Sequence, residues 1–205
     1  MMHRFIRLAV VILAALQIAS AAAHAAAPPE ATIRSFYARL LQTMREGPQL
    51  GDKGRYQALA PAIRQSFDLP AMAEMAVGLA WTSFSPAQRQ QVTDAFARYT
   101  IATYANSFDS YGGQRFEVTG ARTTAYGTIV DSRIIQANGN PVAIDYLMLR
   151  NGDNWQIKDV YLTGTVSQLA TLRAQFSAVL GQQGVRGLVA TLNRKADTLV
   201  ASSGP

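Results

Sequence analysis

No cysteine occurs in the 205 residues, and the only two histidines, His3 and His24, stand near the N-terminus. That end has the order of a secretory signal: Arg4 and Arg7, an apolar run from Leu8 to Ile18, then small residues from Ala21 to Ala27. The run is short for a membrane span, and no later segment approaches eighteen apolar residues. Cleavage is expected after Ala23-His24-Ala25. Residues 1–25 are then the signal peptide, and residues 26–205 form one mature domain released to the periplasm. Removing the signal removes both histidines. A mature chain with neither Cys nor His excludes Ser-His-Asp and Cys-His catalysis, a conventional zinc site, any disulfide and a cysteine-linked lipid anchor.

Charge is also sparse. Lys plus Arg falls from 19 to 17 on cleavage while Asp plus Glu stays at 13, leaving the mature chain at +4. The arginines, among them Arg34, Arg64, Arg98, Arg133 and Arg186, are scattered and do not interleave with aromatics. No nucleic-acid surface is expected from that pattern. Phosphate loops, acidic metal clusters and paired-carboxylate motifs are likewise missing, so neither a metal nor a cofactor is expected.

What is present centres on Pro141 to Gly164. Two runs of β-branched, aromatic and aliphatic residues flank the turn formers Asn151-Gly152-Asp153-Asn154, which predicts an antiparallel hairpin with Arg150 opposite Trp155. Alternation then sets Ile144, Tyr146 and Met148 on one face against Tyr161, Asp159 and Ile157. The other face carries Leu147, Leu149, Val160 and Leu162, with Asp145 and Lys158 as a diagonal ion pair. Both faces are apolar enough to need a cover.

The rest of the chain supplies covers. Ile33, Phe36, Tyr37, Leu40, Leu41 and Met44 form a helical stripe within Glu30 to Glu46. A loop holding Gly51 and Gly54 precedes a second helix, bent or restarted at Pro61. Asp68 caps a short helix with Met72, Met75 and Ala76, closed by Gly78; such methionines suit core filling or an adaptable apolar surface. Ser85-Pro86-Ala87-Gln88 is a capping box that starts a helix running to about Tyr111. That helix carries two apolar stripes, Val92/Phe96/Tyr99/Thr103 and Ala97/Ile101/Tyr104/Phe108, far wider than a surface helix requires. Either it is buried between sheet and helices, or the second stripe lines an apolar cavity.

A strand around Phe116 and Val118 follows, then a longer one from Thr124 to Gln136. Two helices end the chain, one closing at Gly181 and one carrying Leu188, Leu192 and Ala196. The expected fold is α+β: helices on a curved antiparallel sheet of about four strands, in an NTF2-like cone with an apolar cavity. Asp159, placed on an apolar face, has two readings. It is a carboxylate tying down backbone N–H groups or a tyrosine hydroxyl, or it is a general base in an apolar pocket.

Gly78-x2-Trp81, Ser85-Pro86-x-Gln88-Arg89, Phe96 and Tyr104-Ala105 resemble the periplasmic lipid-binding MlaC family, also called the toluene-tolerance family. So do Asp145-Tyr146, Trp155-x-Ile157-x-Asp159-Val160, Gly164-x2-Ser167, Arg173-x2-Phe176 and Gly184 before Leu188. The stretches Phe67 to Gly78 and Leu162 to Phe176 look closest to the hopanoid-associated HpnM branch. The resemblance implies a soluble shuttle without enzymatic activity. It would hold a phospholipid or hopanoid between sheet and helices and exchange it with inner- and outer-membrane lipid transport complexes. The lining candidates are Met72, Met75, Leu79, Trp81, Tyr104, Phe108, Ile129, Tyr146, Met148 and Phe176. Two alternatives stand beside it: a small isomerase or cyclase using Asp159, and a non-lipid accessory subunit of a membrane transporter.

Overall fold

The computed structural model describes residues 27–201; the expected signal peptide at 1–25 lies outside the described residues. Helix α1 (Pro29–Arg45) buries Ile33, Phe36, Tyr37, Leu40 and Met44, the stripe its spacing predicts. Helix α2 (Gly47–Ser66) breaks at Gly51, where φ is 60° and ψ −178°, and passes through Pro61 with helical backbone angles. The expected bend at Pro61 is therefore displaced to the residue that bears no side-chain penalty for positive φ. Asp68 accepts from the Ala71 amide at 3.1 Å and caps α3 (Leu69–Val77), which Gly78 ends at φ 69°. A 3-10 turn, Gly78–Ser83, leads to α4 (Pro86–Ser107). The capping box at its start is complete: Ser85 accepts from the Gln88 amide, and the Gln88 side chain accepts from the Ser85 amide. The helix stops at Ser107, short of the expected Tyr111, where Asn106 and Ser107 are weak helix formers.

Arg55 joins α2 to α4. Its buried guanidinium donates to the Ala105 carbonyl at 3.0 Å and the Gly47 carbonyl at 3.2 Å, and it pairs with Asp52. A last-turn carbonyl of α4 thus finds a donor inside the protein, where a buried acceptor without one would be costly.

The sheet is a five-stranded antiparallel meander, β1 (Arg115–Thr124), β2 (Gly127–Ile135), β3 (Pro141–Asn151), β4 (Asn154–Leu162) and β5 (Val166–Ser167), with neighbours in chain order. Two differences from the sequence reading stand out. The run Thr124–Gln136 is not one strand: the chain reverses at Ala125-Tyr126, and β2 starts at Gly127. Gly127 (φ 138°) lies so close to β3 that an added Cβ would sit 2.8 Å from the Met148 carbonyl oxygen.

The second difference is a bulge in the β3–β4 hairpin. Arg150 does face Trp155, and Met148 faces Ile157, with Gly152 (φ 60°) in the turn. Beyond Met148 the register slips by one residue, because Lys158 is extra on β4. Asp159 consequently faces Leu147, and Val160 takes the place opposite Tyr146. The expected Asp145–Lys158 pair does not form. Lys158 binds the Asp68 carboxylate, and Asp145 accepts from the Ser132 amide at 3.3 Å.

Helix α5 (Gln168–Ala201) is two helices joined at Gly184 (φ 64°), three residues beyond the expected break at Gly181. Its buried Leu169, Phe176, Leu188 and Leu192 join the core between helices and sheet. Strand β1 is the open edge. Glu117 with Arg133 and Arg122 with Asp131 form ion pairs there, and a bulge between Val118 and Gly120 disturbs its ladder.

Candidate functional site: an apolar cavity between α4 and the sheet

Between α4, the β3–β4 hairpin and the start of α5 the packing leaves a cavity of about 280 Å³. Helix α4 forms one wall with Phe96, Tyr99, Thr100, Thr103, Tyr104, Ser107 and Phe108. These recur at helical three- and four-residue steps, so they make a single stripe. It straddles the two stripes inferred from sequence: Ala97 and Ile101 are buried in the core instead. The sheet contributes Ile144, Tyr146, Val160 and Leu162, and α5 contributes Gln168, Leu169 and Leu172, with Phe67 and Met72 completing the enclosure. Val160 reaches this wall because of the Lys158 bulge.

Of the ten residues singled out from sequence, Met72, Tyr104, Phe108 and Tyr146 stand in the cavity wall. Phe176 lies one layer behind it, edge-on to Phe96 at 6.4 Å. Met148 is fully buried, and Ile129 is buried opposite Leu147, neither lining the cavity. Trp81 packs in the 3-10 turn beneath Arg89. Met75 and Leu79 face outward, Leu79 with 94% of its surface exposed. Leu162, Leu169 and Leu172, which the sequence places on apolar faces of the hairpin and of the helix after Gly164, also line the cavity though they are not among those ten. The hydroxyl-bearing Thr100 and Ser107 gave no hydrophobic signal at all.

Aromatic rings form the inner end. Tyr104 meets Phe36 at 5.4 Å and Phe67 at 5.5 Å, both edge-on, and stacks on Phe108 at 5.8 Å. Phe108 also touches a second depression, of about 500 Å³, shared with Met44, Phe116 and Val142. Tyr37, behind them, has its hydroxyl 2.6 Å from Ser132 Oγ, which donates in turn to the Ile144 carbonyl. The Tyr146 ring lies edge-on to Tyr37 at 5.9 Å. Burial raises the pKa of Tyr37, Tyr104 and Tyr146 above the ordinary tyrosine value, so all three stay neutral phenols. At the mouth, the Lys195 ammonium lies 5.7 Å from the centre of the Tyr99 ring.

Asp159 stands outside the cavity wall. Its carboxylate accepts from the Val160 amide at 2.8 Å, the Leu169 amide at 3.1 Å and the Ser167 hydroxyl. It therefore fastens the first turn of α5 to β4, where a negative charge meets the positive end of the helix. A general base would need that carboxylate facing a substrate, and here it faces amides. Among the described residues no group of three or more His, Asp or Glu side chains could hold a metal ion.

The fold and the site together define a class of protein: an α+β domain whose helices close an antiparallel sheet over an apolar cavity. Residues 34–194 match the sequence model of the family described as MlaC protein, and the chain belongs to that family. Its fold is similar to that of the phospholipid-binding protein from Ralstonia solanacearum, solved in complex with a phospholipid. The two are 27% identical with a TM-score of 0.74, over 84% of this chain and 99% of the other.

Proposed function

We propose that this protein is a periplasmic lipid carrier that takes the hydrocarbon part of a phospholipid or hopanoid into the cavity beneath α4. The observation that carries this reading is the cavity wall itself. Side chains that a close-packed core would bury completely keep accessible surface here, and most of that surface is apolar. The phospholipid held by the Ralstonia relative supports the same reading. At about 280 Å³ the space takes on the order of nine water-sized groups, at about 30 Å³ each, enough for part of one hydrocarbon chain. Cargo would then be exchanged with inner- and outer-membrane transport complexes, the chain serving as their soluble partner after its signal peptide is removed.

Lipid extraction and native mass spectrometry of protein purified without detergent test the carrier role. A carrier retains lipid in a fixed molar ratio, and protein that comes through lipid-free and stays so after incubation with vesicles overturns it. N-terminal sequencing of the fractionated protein tests location, with Ala26 expected as the first residue.

A further inference from the structure

Tyr104 has a relation to the cavity that simple hydrocarbon filling does not explain. Its ring is held edge-on by the buried Phe36 and Phe67 and stacked on Phe108. The accessible surface it nevertheless keeps is the surface it turns to the cavity. Its hydroxyl makes no hydrogen bond among the described residues. Nor is that oxygen sealed off, since no side-chain oxygen among the described residues is both sealed from solvent-sized probes and unpartnered. Two nearby hydroxyls are already engaged: Tyr37 with Ser132, and Ser132 with the Ile144 carbonyl. Thr103, further along the wall, donates to the Tyr99 carbonyl at 2.8 Å. Tyr104 is thus a phenol in the cavity wall whose donor and acceptor are both free.

A phenol in that position is a poor surface for plain hydrocarbon. Water that solvates it in the empty cavity is displaced when a chain enters, and the hydroxyl then has no partner. Phenylalanine would fill the same space and keep the same ring contacts without that cost. A ligand with its own oxygen at that depth removes the penalty.

Resting on the carrier reading above, we propose that Tyr104 is a specificity-determining residue. It selects lipids that carry a hydroxyl within the part buried in the cavity, over lipids whose buried part is hydrocarbon alone. The phenol donates to the ligand hydroxyl or accepts from it.

The test uses the full mature chain, delipidated, and phosphatidylglycerol vesicles. Each probe lipid has one oleoyl and one stearoyl chain, and in a series of them the stearoyl chain carries a hydroxyl at successive carbons. Lipid recovered on the protein is counted by mass spectrometry against the unmodified lipid in the same vesicles. The expected result is an enrichment of about two- to tenfold at one carbon or a few adjacent carbons, the range that one net hydrogen bond produces. Tyr104→Phe is expected to return that ratio to one. A flat ratio along the whole series overturns the proposal, as does an enrichment that persists in Tyr104→Phe. If neither protein takes up any lipid, the carrier reading itself fails, and the selectivity falls with it.

Discussion

The Lys158 ammonium closes on the carboxylate of Asp68, 90 residues earlier in the chain. Lys158 is the extra residue of the β4 bulge, and Asp68 is the cap of α3, so one ion pair fixes both a strand irregularity and a helix start. The Asp68 amide also donates to the Ile157 carbonyl at 3.0 Å, which ties the same junction through the backbone.

Asp68→Ala removes the cap and the ion pair together. A cap is worth about 1 kcal/mol and breaking a buried pair about 3–5, with this half-buried pair below that range, so a loss of roughly 2–3 kcal/mol is expected. Urea unfolding measures it. A change under half a kcal/mol would mean the bulge is held by the backbone alone.

Asp159→Ala should cost roughly 2–3 kcal/mol, because two amides and a hydroxyl lose their acceptor at the start of α5. Asp159→Asn keeps an acceptor and loses the charge at the helix end, about 1 kcal/mol. Both variants should retain lipid in the folded fraction. A steroid- or terpenoid-converting activity that disappears in Asp159→Asn would contradict the structural role.

Thr100 lines the cavity from α4 without being buried in the core. Thr100→Trp puts an indole into the empty space, so the lipid-free protein should keep its melting temperature within about 4 °C, a shift of about 1 kcal/mol. Lipid recovered from the same sample should fall at least tenfold. A collapsed melting transition with no lipid data to follow would show the space to be closed to any added volume.

The buried phenols give a pH dependence of definite sign. Folding raises the pKa of Tyr37, Tyr104 and Tyr146 above the unfolded value of 10.0. Stability held in the neutral forms is complete below pH 10 and is lost as pH rises toward and through the folded values. Each phenol adds a slope of about 1.4 kcal/mol per pH unit in that window. Tyr104→Phe should make the decline between pH 10.5 and 11.5 shallower by about one proton's worth, read from urea midpoints at each pH. An unchanged slope would show that Tyr104 titrates as freely folded as unfolded.

Elements governed by local chemistry were legible in the sequence. The Ser85 capping box, the Asp68 cap, the Gly78 stop and the Arg150–Trp155 register each follow from residues within a turn of one another. The Lys158 bulge was not, because its extra residue pairs with Asp68, and alternation has no term for a partner that far away. Nor was the reversal at Ala125-Tyr126, since neither residue is a turn former and Gly127 alone marks the place. Helix periodicity located α4 but divided its apolar residues wrongly. The cavity stripe from Phe96 to Phe108 includes Thr100 and Ser107, which hydrophobicity does not pick out. Met75 and Leu79 show the converse: hydrophobic character alone does not say which way a side chain points.

The open edge at β1 bears on how the molecule lives among its own copies. A sheet that ends in a bare strand invites a neighbour's strand to zip onto it, the first step toward fibrils and sticky oligomers. Here the would-be docking rail carries Arg115, Glu117 and Arg122 and is bent out of line at Thr119. An incoming strand would have to desolvate those charges and follow a ladder that changes step midway. The edge thereby carries a built-in refusal against pairing with another copy's strand.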